Sequence, residues 1–250
     1  MSLKDRVIVI TGAASGMGLE TARLFASKGA KLSLADVQEQ PLKDLEAELT
    51  KTGAQLITRV VDVRKRQQVE DWISATVNEF GKLDGAANLA GVISKQGNMG
   101  RIEDVDDDDY DFVMDVNAKG LLNCLRAQIP HFNDKGGSIV NAASILGIIG
   151  AKKNIAYVAS KHAVVGMTRA AAKELGERNI RVNCFCPGPI DTPMFRKSAE
   201  IRGAQMDTSF LALNRTADQK EVPPLIEFLI SENSSYITGN VMPIDGGWYC

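Results

Sequence analysis

Apolar residues follow two rhythms along the chain. Short runs rich in apolar, often branched, residues occupy 7–10, 31–35, 56–61, 83–87, 138–142, 180–185 and 241–244, the first of them unbroken. Between them, apolar positions recur at helical spacing. In 16–27 these are Met17, Leu19, Ala22, Leu24 and Phe25, and in 41–49 they are Leu42, Leu45 and Leu49. Helices are likewise predicted over 67–80, 110–132, 156–175 and 221–230. Strands that are apolar on both faces must be covered on both faces, as in parallel sheets. The alternation therefore predicts an α/β fold, with 1–250 forming one domain: a doubly wound parallel sheet of Rossmann-like form, helices on both faces, and right-handed crossovers. Residues 91–103 and 189–213 show no clear period. Long irregular segments in such folds tend to be functional, and the ligand crevice lies beyond the carboxyl ends of the strands.

The 250 residues are 44% hydrophobic and 24% charged, ordinary for a globular protein with a large core. A formal net charge of -2 gives no electrostatic case for nucleic acid or an anionic membrane. The longest apolar run, 145–151, is far shorter than the roughly 20 residues of a spanning helix. Lys4, Asp5 and Arg6 interrupt the N-terminus before a secretory leader can form. The acidic run from Asp106 to Asp109 reads as a solvated helix start, where carboxylates suit the helix dipole. Four cysteines at irregular spacing make no disulfide framework. Cys184 and Cys186 alternate with Phe185, so they share a strand face as buried thiols; two sulfurs with no nearby His are not a metal site. A reducing, cytoplasmic setting is expected.

The chemistry begins directly after the first strand, at Thr11-Gly12-Ala13-Ala14-Ser15-Gly16-Met17-Gly18. Glycines on a strand-to-helix turn let the backbone approach a pyrophosphate and leave the helix N-terminus open to its charge. Asp36 ends the second strand, where a carboxylate accepts both ribose hydroxyls of adenosine and repels a 2′-phosphate. Val37 follows it, and Ser15 precedes Gly16 where a basic residue would favour NADP, so NAD is expected over NADP. Asp62 and Val63 end the third strand, at the adenine edge. Tyr157 and Lys161 are four residues apart, so on a helix both project from one face. An ammonium beside a phenol favours the phenolate and lowers its pKa, and such a tyrosine exchanges protons with an alcohol or ketone.

In these residues, order and spacing together, the whole chain resembles the short-chain dehydrogenase/reductase family. Residues 11–18 match its T-G-x-x-x-G-x-G loop, and Tyr157 and Lys161 its Y-x-x-x-K. Asn88, Ala90 and Gly91 match its N-N-A-G stretch, with Leu89 in place of the second Asn. Asn117, followed by Gly120, resembles the Asn of its catalytic tetrad, and Ser144 lies 13 residues before Tyr157, the family interval. Pro187, Gly188, Ile190 and Thr192 fall where the family meets the nicotinamide end of its cofactor. The resemblance implies hydride transfer at a carbinol or carbonyl carbon. Tyr157 would be the general acid/base, Ser144 the hydrogen-bond partner of the reacting oxygen, and Lys161 would hold the nicotinamide ribose. Asn117 would hold a water linking Lys161 to solvent. His131 and His162 match no motif and take structural or surface roles.

Ile93, Met99, Leu146, Ile148, Ile149, Pro189, Met194, Phe195 and Phe210 are expected around the substrate. Their apolar character favours a bulky apolar secondary alcohol or ketone, with Ser144, Leu146, Tyr157 and Met194 touching it and 193–213 as a lid. Arg196 and Lys197 offer charge for an anionic group. The small-molecule substrate is the expected partner, with a homotetramer, or a dimer, implied by the resemblance through the apolar C-terminal stretch. Two other readings remain at this point: an NADPH-using carbonyl reductase of a biosynthetic intermediate, and a dinucleotide-binding scaffold or sensor without catalysis.

Overall fold

The computed structural model describes residues 3–95, 101–203 and 206–250. Strands β1 (Val7–Thr11), β2 (Lys31–Asp36), β3 (Leu56–Val60), β4 (Gly85–Asn88), β5 (Gly137–Ala142) and β6 (Ile180–Pro187) alternate with α1 (Gly16–Ser27), α2 (Glu39–Lys51), α3 (Arg66–Phe80), α4 (Asp107–Met114), α5 (Gly120–Gln128) and α6 (Ile155–Leu175). After β6 come a two-residue strand β7 (Ile190–Asp191), α7 (Pro193–Arg202), its short partner β8 (Ala217–Asp218), α8 (Pro223–Ile230) and β9 (Val241–Ile244).

Seven strands form one sheet in the order β3-β2-β1-β4-β5-β6-β9, every neighbouring pair parallel. The chain winds outward from β1 to β3 and then crosses back to β4, so strand order reverses between β1 and β4. That reversal opens a crevice at their carboxyl ends. Side chains alternate across the strands. Val7 and Val9 point into one core with Trp72, Ile73, Leu125, Val164 and Val182. Ile8 and Ile10 point into the opposite core with Phe25, Leu42, Leu45, Ile226 and Leu229. Leu42, Leu45 and Leu49 are the buried residues of α2, as the sequence predicts.

Trp72 is fully buried, and its indole N–H donates to Ser33 Oγ at 2.7 Å. Ser33 in turn meets Thr76 Oγ1 at 2.7 Å. Trp72→Ala removes a large core side chain from a site that relaxes only partly, so it should cost about 3–5 kcal/mol. Urea unfolding followed by circular dichroism reads the loss.

Two parts of the predicted layout need correction. The single helix expected over 110–132 is broken: α4 passes through a π-helical turn, Asp115–Lys119, into α5, and a 3-10 turn, Ile129–His131, ends it. The apolar periodicity carries straight through, which is why it looks like one helix. The segment 189–213 also contains a helix. Thr192 caps α7 by accepting from the Phe195 N–H, Pro193 sits in its first turn, and Gly203 closes it at φ 65°. Cap, Pro and Gly are start and stop signals, but too few apolar residues lie between them to give a period.

Candidate active site

The turn between β1 and α1 is built on glycine. Gly12 and Gly16 adopt φ values of 68° and 54°, a region that strains other residues. A Cβ on Gly18 would lie 1.9 Å from the Gly12 carbonyl oxygen, so only glycine lets helix and loop close this tightly. Ser15 precedes α1 in extended conformation without a side-chain cap, and Met17 lies in the first turn. Asp36 is buried at the end of β2. Its Oδ2 accepts from the Ala14 N–H at 3.0 Å and its Oδ1 from the Gln38 N–H at 2.9 Å. The carboxylate thus braces the glycine turn from the position expected for the ribose acid. Opposite it, Thr11 Oγ1 accepts from the N–H groups of Leu89 and Ala90, tying the ends of β1 and β4 together across the crevice. These residues fit a dinucleotide: a turn of glycines and small side chains, a helix N-terminus and an acid side by side.

Two residues expected along this groove have partners within the protein. The carboxylate of Asp62 is engaged by the guanidinium of Arg64 at 2.7 Å, which holds it below the usual carboxylate range. Arg64 also lies over the Phe112 ring, 5.7 Å from its centroid. Asn88 turns its amide into the interior, pairing with Gln128 and Asn141, so its side chain has no donor left for the groove. Val63 is buried and lines a small cavity together with Thr11, Asn88, Ala90, Asn117 and Gly120.

The second cluster lies past the ends of β5 and β6. Tyr157 and Lys161 leave adjacent turns of α6 on the same side, Lys161 Nζ sitting 5.6 Å from the centre of the phenol ring. Lys161 is 4% exposed and donates to the Ala142 carbonyl at 2.9 Å. Burial lowers its pKa to about 8. Ser144 follows β5; its hydroxyl accepts from the Leu146 N–H at 3.2 Å. Burial pushes the phenol up, and Ser144 pulls against that shift. Excluding water penalises the phenolate and the ammonium alike, and the group favouring the phenolate here is Ser144.

Asn117 sits in the π-helical turn, a type of irregularity often found at functional sites. Its Nδ2 donates to the Val92 carbonyl at 2.9 Å and to Ser160 Oγ at 3.0 Å, and its Oδ1 accepts from the Val92 N–H at 2.8 Å. Its side-chain donors are therefore occupied by protein groups, and the side chain itself has no proton to offer a water near Lys161. Gly91 lies between the two: a Cβ there would stand 3.3 Å from Asn117 Oδ1 and 3.4 Å from Lys161 Nζ.

The segment expected to cover the substrate follows the end of β6. Pro187 closes the strand, and the Gly188 N–H donates to the Ile244 carbonyl at 3.0 Å. Ile190 is buried. Thr192 lies over the glycine turn, its Cγ2 3.3 Å from where a Gly16 Cβ would be. Arg196 is held by both oxygens of Asp191, so its charge is paired. Met194 is partly exposed on α7, and Phe210 packs edge-on against Trp248, centroids 4.9 Å apart. Met99 lies outside the described residues. His162 is exposed, with Nδ1 2.9 Å from the Val158 carbonyl, away from the cluster's chemistry.

One contributor gave no sequence signal: Ser160, which holds Asn117 from an element distant in sequence. Among the described residues no helix is long and apolar enough to cross a membrane.

Comparison with known proteins agrees with this arrangement. A family model described as Enoyl-(Acyl carrier protein) reductase matches residues 12–249. The short-chain dehydrogenase/reductase aba4 of Botryotinia fuckeliana is 48% identical, covering 98% of this chain and 97% of its own. The 3-oxoacyl-[acyl-carrier-protein] reductase FabG of Thermotoga maritima is 39% identical, covering 99% of each chain. The crystal structure of levodione reductase superposes with a TM-score of 0.93 at 36% identity, over 98% of both chains. On this match and these relatives, the chain belongs to the short-chain dehydrogenase/reductase family of nicotinamide-dinucleotide oxidoreductases.

Proposed function

We propose that this protein moves a hydride between NAD(H) and a largely apolar secondary alcohol or its ketone. The observation that carries the reading is one crevice bordered by a glycine turn braced by Asp36 and by the Ser144–Tyr157–Lys161 cluster. Gly12, Ser15, Gly16, Met17 and Gly18 would take the pyrophosphate, Asp36 the adenosine ribose, and Val63 the adenine edge. Ala90, Pro187, Gly188, Ile190 and Thr192 would border the nicotinamide end. When bound, the cofactor supplies or accepts the hydride.

The chain's own residues handle the proton and the oxygen. In oxidation Tyr157 takes the hydroxyl proton; in reduction it returns one. Ser144 donates to the reacting oxygen where charge changes during the step. Lys161 anchors the ribose, and Asn117 stiffens the floor beneath it through Val92 and Ser160. Leu146, Met194, Phe195 and Phe210 give the pocket its apolar wall, and relatives named as levodione reductase support a ketone of that character. The whole chain would then work as one catalytic unit, in the cytoplasm and as a homotetramer.

The acid/base role of Tyr157 sets the sign of the pH response. Oxidation needs the phenolate, so its kcat should climb on the alkaline side of neutrality. Reduction needs the phenol, so its kcat should hold through neutral pH and fall where oxidation rises. Rates in both directions across pH test this; an oxidation rate that declines as pH rises would remove Tyr157 as the base. The substrate class is tested by following NADH absorbance against secondary alcohols and cyclic ketones of graded size, with NADP in parallel. Turnover confined to NADP would favour the carbonyl-reductase reading that the FabG relative suggests.

A further inference from the structure

The loop after β4 is tied along α4 and the π-helical turn that continues it. Gly91 runs beside the reacting cluster: a Cβ on it would stand 3.4 Å from Lys161 Nζ. The next residue, Val92, gives both backbone groups to Asn117, its N–H at 2.8 Å and its carbonyl at 2.9 Å. Ser94 and Lys95 are held about two helical turns earlier, by Asp109. The Ser94 hydroxyl donates to Asp109 Oδ2, and the Lys95 N–H donates to Asp109 Oδ1 at 2.8 Å. Lys95 Nζ also lies 4.7 Å from the centre of the Phe112 ring, which is one turn beyond Asp109 on the same face of α4.

The run Asp106 to Asp109 reads from sequence as a solvated helix start, and its first three residues behave so. Asp106 caps α4 by accepting from the Asp109 N–H at 2.9 Å, and Asp106, Asp107 and Asp108 are exposed. Asp109 is 7% exposed, and both oxygens of its carboxylate face the loop. Burying a carboxylate is costly unless it is hydrogen-bonded, and bonds to an ionised acceptor are stronger than neutral ones. A helix start needs no such buried acid; a loop that must stay in place does. Ile93 stands between the two tied points. It is half-buried and, among the described residues, packs into neither hydrophobic core.

We propose that Asp109 is a positioning residue for the substrate: it fixes residues 92–95 against α4 and so holds Ile93 as a rigid wall that limits the size of ketone or alcohol the site accepts. A packed wall discriminates by size because it does not yield to added carbon. Held only at Val92, the loop would let Ile93 give way. The inference rests on the proposed reaction, in which the substrate lies beside the cluster that Gly91 adjoins.

Four variants test it. Asp109→Ala removes both ties, and Asp109→Asn restores them, because its amide accepts from Lys95 and donates to Ser94. Ile93→Ala opens the wall, and the double variant Ile93→Ala with Asp109→Ala asks whether the two residues act as one. The tie is read without turnover, by hydrogen exchange of the backbone amides over 92–95 followed by mass spectrometry. Losing a bond to a charged acceptor should speed exchange at Lys95 about ten- to a hundredfold in Asp109→Ala, and Asn should slow it again. The wall is read from the ratio of kcat/KM for menthone, a bulky ketone, to that for cyclohexanone, with NADH and NADPH each as reductant. Ile93→Ala should raise the ratio about tenfold. Asp109→Ala should raise it in the same direction by a smaller factor, Asn should return it to wild type, and the double variant should match Ile93→Ala, since both changes act on one wall. An Asp109 that served stability alone would slow both ketones alike and leave the ratio where it was. An unchanged ratio in Asp109→Ala, folded by circular dichroism, overturns the proposal while the wild type's turnover keeps the proposed reaction. Unchanged exchange at Lys95 overturns it as well. A wild type that reduces neither ketone with either cofactor, and oxidises no alcohol, would sink the proposed reaction and the size wall with it, leaving only the tie between Asp109 and the loop.

Discussion

Tyr157→Phe should lower turnover roughly a hundred- to ten-thousandfold, the usual contribution of a positioned general acid/base. Cofactor affinity should stay near wild type, because the glycine turn and Asp36 lie on the other side of the crevice. Stability should change little: the ring remains, and the lost hydroxyl leaves Ser144 still accepting from the Leu146 N–H. Steady-state kinetics, cofactor titration by fluorescence and thermal unfolding together check the three parts. Retention of most activity would remove Tyr157 from the proton path. A large fall in cofactor affinity would mean that the phenol's main work is binding.

The second large effect is expected at Asp36. Asp36→Ala should weaken NAD by about tenfold to several hundredfold, the scale of losing one or two hydrogen bonds to a charged acceptor at roughly 1.5–3 kcal/mol each. NADP should weaken far less, or bind better, because the carboxylate no longer repels a 2′-phosphate. The structure adds a complication with a clear control. Asp36 also accepts from the Ala14 and Gln38 N–H groups, so the substitution loosens the turn for both cofactors alike. The ratio of NAD to NADP affinity is therefore the decisive quantity. Asp36→Asn retains one oxygen to brace the turn while losing the charge, so it should shift the ratio with a smaller loss overall. If neither substitution changes the ratio, Asp36 serves only the turn.

Much of the architecture was legible because it is written within single elements. Strands buried on both faces must be continuously apolar, and helices packed on a sheet need an apolar stripe, so β1 to β6 and α1 to α3 can be read from residue order alone. The glycine turn is legible for the same reason: Gly12, Gly16 and Gly18 act over a few residues. Lys161 follows Tyr157 by one helical turn, so their shared face depends only on α6 forming. Where a rule of this local kind was weak, the reading failed. The continuous stripe through 110–132 hid the π-helical turn that presents Asn117, and α7 has caps but hardly any stripe.

The sequence by itself determined the alternation of strand and helix, the phosphate turn, the acid at the end of β2 and the phenol–ammonium pair on one helix. Only the tertiary structure decided that Arg64 engages Asp62, that Asn88 faces inward, that Val92 and Ser160 hold Asn117, and that burial raises the Tyr157 phenol against the pull of Ser144. The division has one cause. Periodicity and short spacing are properties of a segment, whereas partner choice between distant segments and the exclusion of water are properties of the packed whole.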